Sequence, residues 1–82
     1  MKKQIMKVLI SKLEELGYKG SELTDTTNLY NDIGIDSLDA IELVTHMEEE
    51  FDITVPDEKI NEIKTVDDIV KAVESCINNK KD

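Results

Sequence analysis

Asp36-Ser37-Leu38-Asp39-Ala40-Ile41-Glu42-Leu43-Val44-Thr45-His46-Met47-Glu48-Glu49-Glu50-Phe51 is the stretch that decides the fold. At roughly 100° per residue, Ala40, Leu43, Val44, Met47 and Phe51 fall within one arc, which predicts a helix with that stripe turned to a core. Asp36 is a good N-cap, and Asp39 places negative charge in the first turn. Leu38, Ile41 and Thr45 lie on the other side among Glu42, Glu48 and Glu49, where a surface helix is ordinarily polar. Two readings stay open. Scattered apolar residues are ordinary on surfaces, or are covered by loop residues such as Leu23 or Tyr30. Alternatively, a small apolar centre ringed by carboxylates is a docking face for a partner with an apolar pocket and a basic rim.

On the N-terminal side, Ile5, Val8, Leu9, Leu13 and Leu16 recur at helical spacing and Gly17 can close the helix, which predicts a first helix over about residues 2–16. Residues 18–31 are mostly polar and predict a long loop, with Leu23, Leu29 and Tyr30 tucked onto the core. On the C-terminal side, Asp52-Ile53-Thr54-Val55-Pro56 is expected to be extended. Pro56 then opens a short third helix at its N1 position, from Asp57 to about Ile63. Thr65-Val66-Asp67-Asp68 reads as a capping box with Asp in place of Glu, ahead of Ile69, Val70, Val73 and Ile77. The expectation is a single all-α domain over residues 1–82: a small four-helix bundle with a long first loop and a short third helix.

The chain's 82 residues carry a formal charge of −9, and its location is informative. Residues 21–58 hold twelve acids and no lysine, while the flanking segments contain all ten lysines. Such a segment repels itself, so a reading with all twelve acids unpaired implies either disorder or a basic partner. The helical periodicity favours the partner. The balance argues against nucleic acid, whose binding needs Lys and Arg to neutralise phosphates. Lys7 and Lys12 interrupt any run long enough for a signal sequence or a membrane span, so no membrane insertion is expected. Cys76 is the only cysteine. It rules out an intrachain disulfide, fits a cytoplasmic location, and reads as a half-buried space-filler beside Val73 and Ile77.

Ser37 stands just inside the start of the second helix. An ester phosphate there faces the unpaired amides and positive end of the helix, while the hydroxyl remains reachable by another enzyme. Serine is also simply common at such positions. A serine hydrolase is disfavoured, because the one histidine, His46, lies more than two turns along the same helix. A calcium loop fails on register: with Gly34 as its glycine, the first and last ligands fall on Leu29 and Ala40. No specific metal site is expected.

The run from Asp32 to Val44, followed by Glu48-Glu49-Glu50-Phe51-Asp52-Ile53-Thr54-Val55-Pro56-Asp57 and the Thr65-Val66 helix start, closely resembles the bacterial acyl carrier proteins over nearly the whole chain. The resemblance implies that Ser37 receives 4′-phosphopantetheine from coenzyme A, with magnesium, by the action of a phosphopantetheinyl transferase. The arm then carries acyl groups as thioesters for fatty-acid or related biosynthesis. The carrier itself is not an enzyme. It further implies a recognition face of Asp36, Leu38, Asp39, Ile41, Glu42, Glu48 and Glu49, with secondary contacts at Val55, Asp57 and Ile60. Its expected partners are synthases, reductases and acyltransferases with basic docking surfaces, and the carrier is expected to be a monomer. An apolar acyl pocket would be lined by Leu43, Met47, Phe51, Ile63 and Val73. Thr45 and His46 depart from the primary fatty-acid carriers, which usually have methionine and a small residue there. Rival readings are a carrier of the same fold for an aminoacyl or polyketide intermediate, and an acidic helical adaptor without a prosthetic group.

Overall fold

Four α-helices enclose one core in the computed structural model, which describes residues 2–18 and 23–79. They are α1 (Lys2–Glu15), α2 (Ser37–Phe51), α3 (Asp57–Glu62) and α4 (Val66–Asn79). Helix α1 packs on α2 and α4, and α2 packs on α4. The apolar positions read at helical spacing supply the core. Ile5, Leu9 and Leu13 come from α1, Ala40, Leu43, Val44 and Met47 from α2, and Val66, Ile69, Val70, Ala72 and Val73 from α4. Each large side chain taken out of water here contributes about 1.5–3 kcal/mol before ordering costs. Phe51 is only half-buried at the end of its stripe, and Cys76 is half-buried against the core, as its neighbours indicate.

The helix ends show how local chemistry sets the boundaries. Gly17 has φ 99°, and the amides of Leu16, Gly17 and Tyr18 return to the carbonyls of Lys12, Glu14 and Leu13, so α1 closes one residue before its apolar pattern ends. At α4 the capping box forms in both directions. Thr65 Oγ1 accepts from the Asp68 amide at 3.2 Å, and Asp68 Oδ2 accepts from the Thr65 and Lys64 amides at 3.1 and 3.0 Å. The acid can replace glutamate because its oxygen spans both amides from one turn inside the helix.

Two segments differ from expectation. The first loop is not irregular throughout: Leu29–Ile33 forms a π-helical turn. Asn28 Oδ1 accepts from the amides of Tyr30 and Asn31, and the Asn28 amide donates to Asp32 Oδ2. The turn is held by side-chain capping instead of apolar periodicity, so it leaves little trace in the hydropathy pattern. The loop is also fastened to the last helix. The Leu29 and Val66 amides donate to Lys64 and Thr27 carbonyls, making an antiparallel bridge between Asn28 and Thr65. Secondly, Pro56 is the N-cap of α3, not its N1 residue. Its φ of −60° suits either place, but its ψ of 145° is extended, and its carbonyl receives the Lys59 and Ile60 amides. Helix α3 buries none of its six residues; Val55 and Ile63 on either side of it provide the anchors.

Candidate functional site

The approach to α2 is a short, anchored step. Gly34 takes the left-handed conformation at φ 91°, and its amide and that of Ile35 both donate to the Leu29 carbonyl. Ile35 then inserts into the core at 4% exposure, which leaves Asp36 and Ser37 projecting outward. Asp36 caps the helix: its Oδ1 accepts from the Asp39 amide at 2.8 Å and its carbonyl from the Ala40 amide at 3.0 Å. Ser37 is the first helical residue and is exposed. Among the described residues its hydroxyl has no hydrogen-bond partner.

Leu38 and Ile41 lie beside the serine at 71% and 51% exposure, the exposed large apolar side chains among the described residues. Leu23 and Tyr30 pack against the core and leave them uncovered. Glu42 and Glu49 are exposed around them. Asp36, Ser37, Leu38, Ile41, Glu42 and Glu49 therefore form one accessible face, and Asp57 is exposed and Ile60 half-buried on α3.

Three residues of the expected recognition set do different work. The Tyr18 hydroxyl donates to Asp39 Oδ2, tying the end of α1 to the first turn of α2 and leaving Asp39 half-buried. That bond, followed by desolvation, pushes the Tyr18 hydroxyl up to about 12. Glu48 is half-buried, and its Oε2 accepts from the Val55 amide at 2.8 Å, bracing the segment that leads to α3. Val55 itself is 4% exposed and belongs to the core, so it is not a surface contact. Its β-branched side chain turns inward because Ile53 and Val55 alternate with exposed Thr54 and Pro56.

The acidic segment is likewise less unpaired than its composition implies. Asp25 pairs with Lys2 at 2.7 Å, and Asp32, Asp36, Asp39 and Glu48 each accept hydrogen bonds. Many of its charges are thus taken up in turns, caps and braces, which offsets part of the self-repulsion. His46 is half-buried with Nε2 3.8 Å from Glu50 Oε1, roughly 13 Å along the helix from Ser37. His46 therefore does not reach the serine. Among the described residues there is no group of three metal-ligating side chains, and no helix long and apolar enough to cross a membrane. Leu43, Met47, Ile63 and Val73 are buried in one cluster, with half-buried Phe51 packed against it.

A four-helix bundle that projects an unbonded serine from a helix N-terminus, with its own apolar and acidic surround, is a carrier domain in form. Residues 8–73 match the family model described as phosphopantetheine attachment site. The acyl carrier protein of Prochlorococcus marinus (strain MIT 9515) is 47% identical over 62 residues, covering 76% of this chain and 78% of that protein. The crystal structure of an acyl carrier protein from Thermotoga maritima superposes with a TM-score of 0.88 at 25% identity, over 98% of this chain and 94% of that one. The solution structure of the 3,7-dioxo-octyl actinorhodin acyl carrier protein from Streptomyces coelicolor shares the fold, with a TM-score of 0.75 at 18% identity over 98% and 93%.

The chain belongs to the acyl carrier protein family. Its prosthetic group is phosphopantetheine, and its role is that of a thioester carrier, not a catalyst, served by a phosphopantetheinyl transferase and by biosynthetic enzymes. The thiol of that arm supplies the acyl-bearing chemistry when bound.

Proposed function

We propose that Ser37 carries the 4′-phosphopantetheine arm and that Asp36, Leu38, Ile41, Glu42 and Glu49 form the face on which enzymes with basic surfaces dock. The observation that carries this is the Ser37 hydroxyl, exposed and unbonded at the first turn of α2 beside Leu38 and Ile41. The residues fit the group. Among the described residues the Ser37 and Leu38 amides have no acceptor, so a phosphodiester on Ser37 lies at the positive end of the helix. The Asp36 carboxylate is turned onto the Asp39 amide, which lowers its repulsion toward that phosphate. Leu38 and Ile41 supply apolar contact, while Glu42 and Glu49 steer basic partners. Asp57 and Ile60 extend the face, whereas Asp39 and Glu48 shape it through their internal bonds.

The chain acts as a single-domain, monomeric carrier in the cytoplasm, delivering acyl thioesters to synthases, reductases and acyltransferases of fatty-acid or related biosynthesis. Intact mass after incubation with coenzyme A, magnesium and a phosphopantetheinyl transferase tests the attachment. A gain of one arm is expected on the wild type and none on Ser37→Ala. An undiminished gain on that variant overturns the assignment.

A further inference from the structure

On the far side of the charge distribution, residues 2–13 of α1 hold four lysines and no acid. Two of the four are engaged: Lys2 with Asp25 at 2.7 Å and Lys12 with Glu15 at 3.4 Å. Lys3 and Lys7 are exposed, and among the described residues neither has an ionic partner. They stand four residues apart, so they lie on one side of the helix, next to Met6 and Ile10, which are also four apart. Met6 and Ile10 continue the apolar stripe beyond fully buried Ile5, Leu9 and Leu13, and remain half-exposed. With Lys2 and Asp25 these four side chains line an open groove of about 590 Å³.

We infer that this groove docks an acidic amphipathic helix of a partner protein, whose apolar side chains seat on Met6 and Ile10 and whose carboxylates pair with Lys3 and Lys7. Three observations select this occupant. The groove combines a Met/Ile floor with a cationic wall, the complement of an acidic amphipathic helix. Its two rows run along α1 with i,i+4 spacing, the ridge pattern that receives another helix. The other surfaces in question fit less well. An anionic bilayer would meet Asp25 at the rim and find no aromatic anchor, and a second copy seated by its own acidic helix α2 would cover the Leu38 and Ile41 surface beside Ser37. The groove shares no residue with the α2 face, so a protein held there leaves Ser37, Leu38 and Ile41 open to a basic enzyme.

Amide shifts of the isotope-labelled full chain, titrated with two synthetic amphipathic helices of the same leucine pattern, test this. One peptide has glutamate on its polar face and the other lysine. The expected result is shifts concentrated on residues 2–12 with the glutamate peptide alone, weakened by salt. A Lys3→Glu/Lys7→Glu variant should bind roughly tenfold more weakly, with Glu42→Lys and Ser37→Ala unaffected. The circular dichroism melt of the double variant separates lost docking from lost folding, and Met6→Ala supplies a charge-neutral second probe. Shifts on α2, equal binding of both peptides, or no binding overturn the inference. So does binding to phosphatidylglycerol vesicles without peptide binding, or self-association abolished by the double variant.

Discussion

Helices α2 and α4 are near equals in length, at 15 and 14 residues, and each begins with acids. Yet they spend their side chains differently. Helix α4 turns its apolar stripe inward and leaves only polar side chains, Lys71, Asn78 and Asn79, exposed. Five residues are buried, Asp68 closes the capping box, and Asp67 pairs with Lys71 at 3.1 Å. Helix α2 buries four residues and leaves Leu38 and Ile41 in water beside exposed Glu42 and Glu49. A helix with one apolar stripe is fully accounted for by its own core, whereas a second apolar patch on the opposite side is material for a partner. Helix α4 thus serves the bundle alone, whereas α2 serves it and also carries the face proposed for docking.

Substitutions can break this division, beginning with the largest effect. Ile69→Ala on α4 should cost about 2–5 kcal/mol of unfolding free energy in a denaturant titration, while Leu38→Ala on α2 should stay within about 0.5 kcal/mol and instead weaken enzyme docking. Comparable destabilisation by the two would show that Leu38 is structural. Next, Asp68→Ala should cost about 1–2 kcal/mol by releasing the cap. Its carboxyl is held below the ordinary value of 3.8, first by the Thr65 amide and then by the Lys64 amide. The folded pKa is therefore the lower one, so the stabilisation is complete above the unfolded value and disappears as pH falls through the folded value. Melts between neutral and acid pH should show the wild-type advantage over Asp68→Ala shrinking in that window.

The two glutamates of α2 sharpen the contrast within one helix. Both Glu42→Lys and Glu48→Lys should slow association with a basic enzyme, but only Glu48→Lys should also lower stability, by about 1 kcal/mol, because it frees the Val55 amide. Faster hydrogen exchange at Val55 in that variant alone is the check. The smallest effect is spectroscopic. Tyr18 should ionise near pH 12, and Asp39→Asn should bring it back toward its ordinary value of 10.0. Since the folded pKa is raised, the Tyr18 bond contributes below the unfolded value and is lost as pH rises through the folded one. A wild-type absorbance titration centred on the ordinary value would remove the Tyr18–Asp39 bond from solution.

Much of this was legible in the residues themselves. Asp36 as a cap, the Thr65–Asp68 box, and the opposed faces Ala40/Leu43/Val44/Met47 and Leu38/Ile41 all follow from the helical period and from which short polar side chains reach a free amide. The π-helical turn at Leu29–Ile33 was not, because Asn28 and Asp32 hold it by side-chain capping that polar loops also display. Pro56 was misplaced by one position, since its φ serves a cap and a first turn equally.

By itself the sequence determined four helices, the caps of α2 and α4, an exposed serine at the head of α2, and a net charge confined to residues 21–58. Those features depend on neighbours within a turn or two, and local periodicity records them. Tertiary structure alone decided which acids remain available. Asp39 is claimed by Tyr18, twenty-one positions away, Glu48 by the Val55 amide beyond the end of its own helix, and Asp25 by Lys2. The path of the chain brings those partners together, so hydrogen bonding across the fold divides one acidic segment into carboxylates that hold the bundle and carboxylates, such as Glu42 and Glu49, that are left exposed.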